Sequence, residues 1–366
     1  MARDLDLMVL PPRIPEDPPR FLVAGDGFWR DLGSAAKLED LSKLQVRIDE
    51  QLRSDMDALD PAVGGQIATG NYFSLLYEPL VPEALQRLLK TLQPDNAGDP
   101  PPIVRIHVDP SLDWIPWEVA HDGDEFLGLR FRIARLPIVP AARDLQPAKD
   151  PWPVAQIYSF LGEFVLDAGQ LPDWQQTFPI AGAAGVNEKR LPDPVTNRFP
   201  RVGDVELAAA DASIVHFTCH GGLKDAGTEG GSFWTLNHKQ PANPQFKIHA
   251  PIVRALKTKL PKTQPLIFGN ACGSSGQAAG SGGLVNSFGS LFVQSGASGF
   301  VGTFAPIAKG RAIEFAHRFY QNLLVDGDPI ASALWRAKQH FHQSAPQDPS
   351  ALFYCHYGMP SSRYSI

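Results

Sequence analysis

Short apolar runs rich in β-branched residues alternate with amphipathic stretches from about residue 100 onward. This alternation predicts an α/β domain in which helices join the strands of a mainly parallel sheet. We predict strands over residues 103–108, 130–136, 154–160, 213–218, 265–270, 299–303 and 352–357. We predict helices over residues 205–210, 250–257, 284–295, 311–324 and 329–341.

The first hundred residues have a different pattern. Leucines spaced by three and four over 36–59 and 82–92 predict two amphipathic helices. Prolines cluster near 94–102, 147–153 and 192–200, and each cluster interrupts regular structure and marks a connection. We therefore predict an N-terminal extension with a helix over residues 1–70 and one domain over 71–366. The extension is either a docking surface or an extra layer on the sheet.

The composition excludes several classes of protein. Of 366 residues, 43% are apolar and 20% are charged, which is ordinary for a globular protein. The net charge of −6 gives no long-range attraction to nucleic acid. The apolar runs are shorter than the roughly 18 residues of a membrane-spanning helix. Three scattered cysteines and an acidic start without a signal-peptide layout indicate a reducing compartment. We expect a cytoplasmic protein that binds neither nucleic acid directly nor a membrane.

A histidine and a cysteine follow two of the predicted strands. The strand over 213–218 leads to His220, and the strand over 265–270 leads to Cys272. The carboxyl ends of parallel strands meet at one edge of a sheet, so these two residues can be neighbours. An imidazole beside a thiol can remove its proton and leave a nucleophilic thiolate. This predicts Cys272 as nucleophile and His220 as base, with the backbone amides of Gly221 and Cys272 as oxyanion donors.

Other interpretations of these residues stay open. A histidine and a cysteine at strand ends can also be ordinary buried residues, because free cysteine often packs as a small hydrophobe. We expect His216 to be a hydrogen-bonded core histidine, and Cys219 and Cys355 to be inert packing thiols. A metal site built from His216, Cys219 and His220 is disfavoured because strand alternation separates the three side chains. The chain has no phosphate-binding loop, so nucleotide chemistry is also disfavoured.

Several motifs in order resemble one protein family. The runs IVHFTCHG at 214–221 and PLIFGNAC at 265–272 resemble the two signature strands of CHAT domains, the caspase-like cysteine peptidases related to separase. The run SGASGFVGT at 295–303 is similar to the family's glycine- and alanine-rich strand entry. The run LDWIPWE at 112–118 is similar to the continuation of its first strand. The resemblance extends over about residues 70 to 360.

The resemblance implies a caspase-hemoglobinase-like sandwich, a mainly parallel sheet flanked by helices on both faces. It implies that His220 and Cys272 form a catalytic dyad that hydrolyses peptide bonds of one or a few protein partners through a thioacyl-enzyme. No metal and no organic cofactor is required. The family suggests a regulated effector protease of a bacterial conflict system, with any activator or sensor on a separate protein. The rival interpretation is a caspase-like scaffold that binds a partner and does not cleave it.

The chain departs from the family pattern near the expected substrate pocket. Asn270 stands in the lead into Cys272 where relatives usually carry serine. Phe304 follows the strand over 299–303 where many relatives carry tryptophan and then aspartate, so a preference for a basic residue before the cut is in doubt. Asp109 and Asp113 can restore negative charge to that pocket, or they can cap a turn.

Two glycine-rich segments follow the proposed base and nucleophile, over residues 221–231 and 273–283. Glycine-rich segments are conformationally permissive. We predict that a partner or substrate orders them and completes the oxyanion site.

Overall fold

The structure is a computed structural model that describes most of the chain. The described residues are 4–14, 17–25, 28–37, 39–40, 43, 77–94, 96, 99–138, 151–161, 186–191, 198–223, 232–237, 243–271, 287–305, 307, 309–346 and 348–366. Most of the helix predicted over 36–59 lies outside these residues, and so do Cys272, residues 273–283 and residues 224–231.

The centre of the molecule is an eleven-stranded sheet. Its strands lie in the order β3-β2-β1-β4-β5-β15-β14-β13-β9-β7-β8. Their bounds are Leu5–Leu10 (β1), Arg20–Gly25 (β2), Phe28–Ser34 (β3), Ile103–Val108 (β4), Arg132–Pro137 (β5), Gln156–Leu161 (β7), Asn187–Leu191 (β8), Ile214–Thr218 (β9), Leu266–Asn270 (β13), Gly299–Thr303 (β14) and Tyr354–Gly358 (β15). All seven predicted strands are present, with ends shifted by at most two residues.

Two small sheets accompany the large one. The first has the order β10-β11-β12, and the second pairs β16 with β6. Their bounds are Trp152–Pro153 (β6), His220–Leu223 (β10), Ser232–Thr235 (β11), Lys247–His249 (β12) and Tyr364–Ser365 (β16).

The large sheet consists of two halves of opposite direction. Strands β8, β7, β9, β13 and β14 are mutually parallel, whereas β15 runs antiparallel to β14. Strands β5, β4 and β1 are parallel to β15. The carboxyl ends of β4 and β5 therefore lie at the sheet edge opposite to the carboxyl ends of β9 and β13.

Helices cover both faces of the sheet. Their bounds are Glu83–Thr91 (α1), Leu127–Arg130 (α2), Val202–Asp211 (α3), Ala250–Ala255 (α4), Leu260–Thr263 (α5), Phe288–Gln294 (α6), Lys309–Tyr320 (α7) and Ile330–Ser344 (α8). On one face α3, α4 and α6 bury an apolar core, and on the other face α7 and α8 bury a second. A π-helical turn, Gln321–Val325, continues α7. In the described residues, no helix is both long and apolar enough to cross a membrane.

The N-terminal segment contributes three strands that the sequence patterns did not predict. Strand β1 pairs in parallel with β4, while β2 and β3 follow as antiparallel neighbours. The buried residues of β1 alternate as Leu5, Leu7 and Val9, and they pack with α1 on one face. The segment thus extends the sheet itself.

An ionic cluster links the added strand β1 to β4. The Asp6 carboxylate accepts hydrogen bonds from Arg105 Nε and Nη2 at 2.9 and 2.8 Å, and lies 3.0 Å from His107 Nε2. The His107 and Arg105 hydrogen bonds hold the pKa of Asp6 well below its usual range. Ionised Asp6 therefore stabilises the fold above the pKa of an unfolded aspartate, and that contribution disappears as the pH falls.

We expect Asp6→Asn to lower the free energy of unfolding by about 1–2 kcal/mol at pH 7, because a charge-assisted pair of hydrogen bonds is lost. Urea unfolding at pH 7 and pH 3 should show a smaller difference from wild type at pH 3. Asp17→Asn, at an exposed position, serves as the control. An equal difference at both pH values would contradict the linkage.

Candidate active site

The two strands that precede the predicted dyad residues end side by side at one edge of the sheet. Strand β9 pairs in parallel with β13, and Thr218 at the end of β9 is the partner of Asn270 at the end of β13. His220 follows Thr218 by two residues, and Cys272 follows Asn270 by two residues. The prediction that these two strands are neighbours is confirmed. Cys272 itself lies outside the described residues.

A buried tryptophan ties the strand that begins at His220 to β13. His220 is the first residue of β10, whose backbone pairs with β11 so that Gly221 lies opposite Trp234. The Trp234 ring is fully buried and packs at a tilt against Phe217 of β9, with ring centroids 4.8 Å apart. A Cβ atom on Gly269 would lie 2.9 Å from the Trp234 ring, so only glycine lets β13 approach this closely. Trp234 thereby packs β11, the partner of β10, against both β9 and β13.

His216 is a core histidine, as predicted. Its Nδ1 lies 3.0 Å from the Tyr320 hydroxyl, and its Nε2 lies 2.8 Å from the Thr218 hydroxyl. Burial lowers the pKa of His216 well below its usual value, so the neutral ring donates one of these bonds and accepts the other. Cys219 packs into the apolar core on the other face, so the two residues do not converge on a metal.

Both cysteines in the described part of the chain, Cys219 and Cys355, are buried. Cys219 is 2% exposed. Cys355 is fully buried and donates a weak hydrogen bond to the Gly302 carbonyl at 3.4 Å. Burial withholds both thiols from solvent, as expected for packing residues.

Two side chains and one backbone carbonyl, from three other elements, hold the two residues that precede Cys272. Asn270 Nδ2 donates to the Ala312 carbonyl at 2.9 Å, and its Oδ1 accepts from the Tyr354 hydroxyl at 2.6 Å. The Thr303 hydroxyl donates to the Ala271 carbonyl at 3.0 Å. Residue type alone gave no signal for Thr303 or Tyr354, because each is an ordinary strand residue. The asparagine that departs from the family pattern is therefore part of a hydrogen-bond network.

Asp109 has a structural role at the far edge of the sheet. It follows the carboxyl end of β4, which lies opposite to the ends of β9 and β13. Its Oδ1 accepts from the Ser111 amide at 2.9 Å and from the Ser111 hydroxyl at 2.6 Å, which caps a short helical turn. This is the turn-capping role that the sequence analysis gave as an alternative, and the pocket role of Asp109 stays a prediction.

Asp113 belongs to a buried ionic cluster. It is 1% exposed, its carboxylate accepts a hydrogen bond from Ser287, and its carbonyl accepts from Arg135 Nη1 at 2.7 Å. Burial raises the pKa of Asp113 to about 6, although Arg135 opposes this. Ser287 caps the first turn of α6. A substrate pocket role for Asp113 would need the carboxylate to leave these partners.

Phe304 lies at the same edge as the ends of β9 and β13. It follows Thr303 at the end of β14, the strand that pairs with β13. Its half-buried ring contacts Phe353 with centroids 5.3 Å apart. This position is compatible with a pocket wall, and the role stays a prediction.

Solved structures with a similar fold include a cysteine proteinase. Gingipain R, an Arg-specific cysteine proteinase, is 13% identical, with a TM-score of 0.53 and coverage of 78% of this chain and 69% of that chain. The complex of gingipain pro- and mature domains from Porphyromonas gingivalis is 12% identical, with a TM-score of 0.51 and coverage of 77% and 70%. Separase of the Saccharomyces cerevisiae separase–securin complex is 12% identical, with a TM-score of 0.46.

The match covers 77% of the present chain but only 17% of that separase chain. A comparison with curated proteins found no match. The likeness to gingipain R shows a caspase-like fold, so the predicted fold class is confirmed. The model of the CHAT domain matches residues 71–357, from before α1 to within β15. Because that match extends over most of its length, this chain belongs to the CHAT domain family.

Proposed function

We propose that this protein is a cysteine endopeptidase in which Cys272 is the nucleophile and His220 the general base. The observation that carries the proposal is the register of β9 and β13, whose paired ends Thr218 and Asn270 lead to the two residues in equal steps. Membership of the CHAT family, with a fold shared with a cysteine proteinase, supports the same chemistry.

The proposed reaction has two steps. His220 takes the thiol proton of Cys272, and the thiolate attacks the scissile carbonyl while the amides of Gly221 and Cys272 stabilise the oxyanion. The C–N bond breaks as His220 protonates the leaving amine, which leaves a thioacyl-enzyme. Water deprotonated by His220 then attacks the thioester, releases the acid and restores the thiol. The reaction needs no metal and no organic cofactor.

The substrate is proposed to be one or a few proteins in the cytoplasm. Phe304 gives the wall next to β13 an aromatic character, which favours an apolar contact before the cut over a salt bridge to arginine. We propose control by a separate protein, and the complex of gingipain pro- and mature domains shows that a similar fold can bind a second domain. A role as an effector in bacterial defence is part of this proposal.

The rival proposal is a scaffold that binds a protein and does not cleave it. The two proposals differ in the expected reactivity of the Cys272 thiol, because only a peptidase requires that thiol to be activated. Comparison with the other two cysteines cannot separate them, since burial alone keeps Cys219 and Cys355 slow.

The rate of alkylation of Cys272 tests the dyad without a substrate. At pH 7 an unassisted thiol with a pKa near 8.5 is only about 3% thiolate, so we expect His220→Ala to slow carbamidomethylation of Cys272 by iodoacetamide about tenfold or more. The reaction is followed at Cys272 by peptide mass spectrometry. His340→Ala, which removes an exposed histidine of α8, should leave the rate unchanged. Equal rates in wild type and His220→Ala would refute the dyad and favour the scaffold.

A further inference from the structure

The peptide group that joins Ala271 to Cys272 is hydrogen-bonded through its carbonyl oxygen. The Ala271 carbonyl accepts the hydrogen bond from Thr303 Oγ1 at 3.0 Å. Ala271 and Thr303 are 4% and 1% exposed, so bulk water does not compete for the bond. The last backbone pair of β13 with β14 is Gly269 with Gly302, so this carbonyl lies beyond the ladder. The threonine side chain thus satisfies an acceptor that the neighbouring strand no longer reaches.

The other half of the same peptide group is the amide N–H of Cys272. A peptide unit is planar, and in the usual trans form its C=O and N–H bonds point in opposite directions. A hydrogen bond that fixes the carbonyl therefore also fixes the direction of the N–H. A hydrogen-bonded carbonyl also polarises its own N–H and makes it a stronger donor.

Asn270, the residue before Ala271, is also held by hydrogen bonds. Asn270 is 5% exposed, and its side chain is bonded to the carbonyl of Ala312 in α7 and to the Tyr354 hydroxyl of β15. These hydrogen bonds restrain the residue that leads into Ala271. The Thr303 hydroxyl adds a restraint on the peptide plane that follows Ala271.

We propose that Thr303 is a positioning residue that orients the Cys272 amide as an oxyanion donor. The inference rests on the proposed function, because it assigns a task to one of its oxyanion donors. Thr303 would act on the carbonyl of the tetrahedral intermediate through the peptide plane, and it would leave the ionisation of the thiol to His220.

Three variants separate the hydroxyl from the bulk of the side chain. Thr303→Val keeps the size and removes the donor, and Thr303→Ser keeps the donor. Thr263→Val is a matched control, because Thr263 Oγ1 donates to the Ala209 carbonyl at the same distance of 3.0 Å in α5, away from the candidate site. If Thr303→Val fails to fold, Thr303→Ala is measured in its place.

The peptide group can be observed directly by NMR. Cys272 is the one cysteine of the chain that follows an alanine, since Cys219 follows a threonine and Cys355 a tyrosine. Protein labelled with carbonyl ¹³C in alanine and amide ¹⁵N in cysteine therefore gives one carbonyl–amide correlation, from residues 271 and 272. We expect Thr303→Val to move this signal in both dimensions, and Thr303→Ser and Thr263→Val to leave it in place. An unmoved signal in Thr303→Val would overturn the proposal.

Kinetics then test whether the orientation matters. Loss of a complete oxyanion donor costs about 10²–10³-fold in kcat, so we expect misorientation in Thr303→Val to cost about 10-fold to 100-fold. The substrate is the peptide that wild type cleaves fastest in a pool of lysate-derived peptides. KM and the rate of Cys272 alkylation by iodoacetamide should stay at the wild-type level, and Thr303→Ser should keep most of kcat. A merely structural role would lower stability and would not produce this split.

The outcomes distinguish the two proposals. A moved NMR signal with unchanged kcat in Thr303→Val overturns the positioning role while the peptidase proposal stands. Equal loss of kcat and alkylation assigns the effect to the thiol and also overturns it. If wild type cleaves no peptide, alone or with lysate proteins added, and Cys272 is alkylated no faster than in His220→Ala, the proposed function fails, and with it the catalytic task of Thr303, whatever the NMR signal shows.

Discussion

Replacement of Cys272 by alanine should abolish every new protein N-terminus that the wild-type chain produces in a cell lysate. The expected loss is very large, because removal of the nucleophile from a comparable hydrolase lowers kcat by about 10⁶-fold. The measurement is a survey of new N-termini with wild type and Cys272→Ala, in host lysate alone and with purified proteins encoded by neighbouring genes. Sequences aligned at the cuts would report the residue preferred before the cut, and hence the role of Phe304.

The control for this survey is a cysteine that packs in the core. Cys219→Ala removes a buried thiol from the face formed with α3 and α6, so it should keep the cleavage pattern at some cost in stability. Identical N-termini from wild type and Cys272→Ala would show that another protease made the cuts. No cuts in any mixture, together with slow alkylation of Cys272, would favour the scaffold, and Cys272→Ala would then serve to capture its partner.

Replacement of Arg135 by methionine should cost about 3–5 kcal/mol of unfolding free energy, because it leaves buried acids without their cation. Arg135 is 2% exposed, and its Nε donates to Glu118 Oε1 at 3.2 Å, with a second, shorter bond from Nη2 to Oε2. Its guanidinium also lies 5.6 Å from the centre of the Tyr357 ring. Urea unfolding followed by circular dichroism measures the loss.

The double variant Arg135→Met/Glu118→Met is the matched control. Removal of both partners leaves no uncompensated Glu118 charge, so the double variant should be more stable than Arg135→Met alone. Asp113 adds a pH dependence. Its pKa is about 6 in the fold, and loss of Arg135 raises it further, so folded Arg135→Met binds a proton there that the unfolded chain lacks. The deficit relative to wild type should therefore be smaller at pH 6 than at pH 8. A deficit below about 1 kcal/mol would contradict the argument.

The strands next to the candidate site were predictable because their signals are local. The runs over Ile214–Thr218 and Leu266–Asn270 are mostly apolar, follow a serine and a proline, and are buried in the structure. The N-terminal strands were missed, although Leu5, Leu7 and Val9 alternate with less buried residues. That pattern is short, and its stabilising partner β4 lies about a hundred residues further along the chain.

The candidate site also contains some residues that a local sequence signal identifies and others that only long-range contacts identify. His220 and Cys272 attracted attention because few residue types do nucleophilic chemistry and because both follow strands. Thr303 and Tyr354 did not, because their bonds join residues 32 and 84 positions apart. A threonine at the end of a strand is common, and only its distance from the Ala271 carbonyl gives it a role.

By itself the sequence determined seven of the eleven strands of the central sheet, the family motifs and the two residue types proposed for the chemistry. These are properties of short stretches, where period and residue type are enough. Tertiary structure decided the rest. Strand β15 runs antiparallel to β14, and β5 and β4 follow its direction, which places Asp109 at the edge opposite to the ends of β9 and β13. Strand direction and long-range hydrogen bonds depend on how distant segments pair, and no local pattern encodes that pairing.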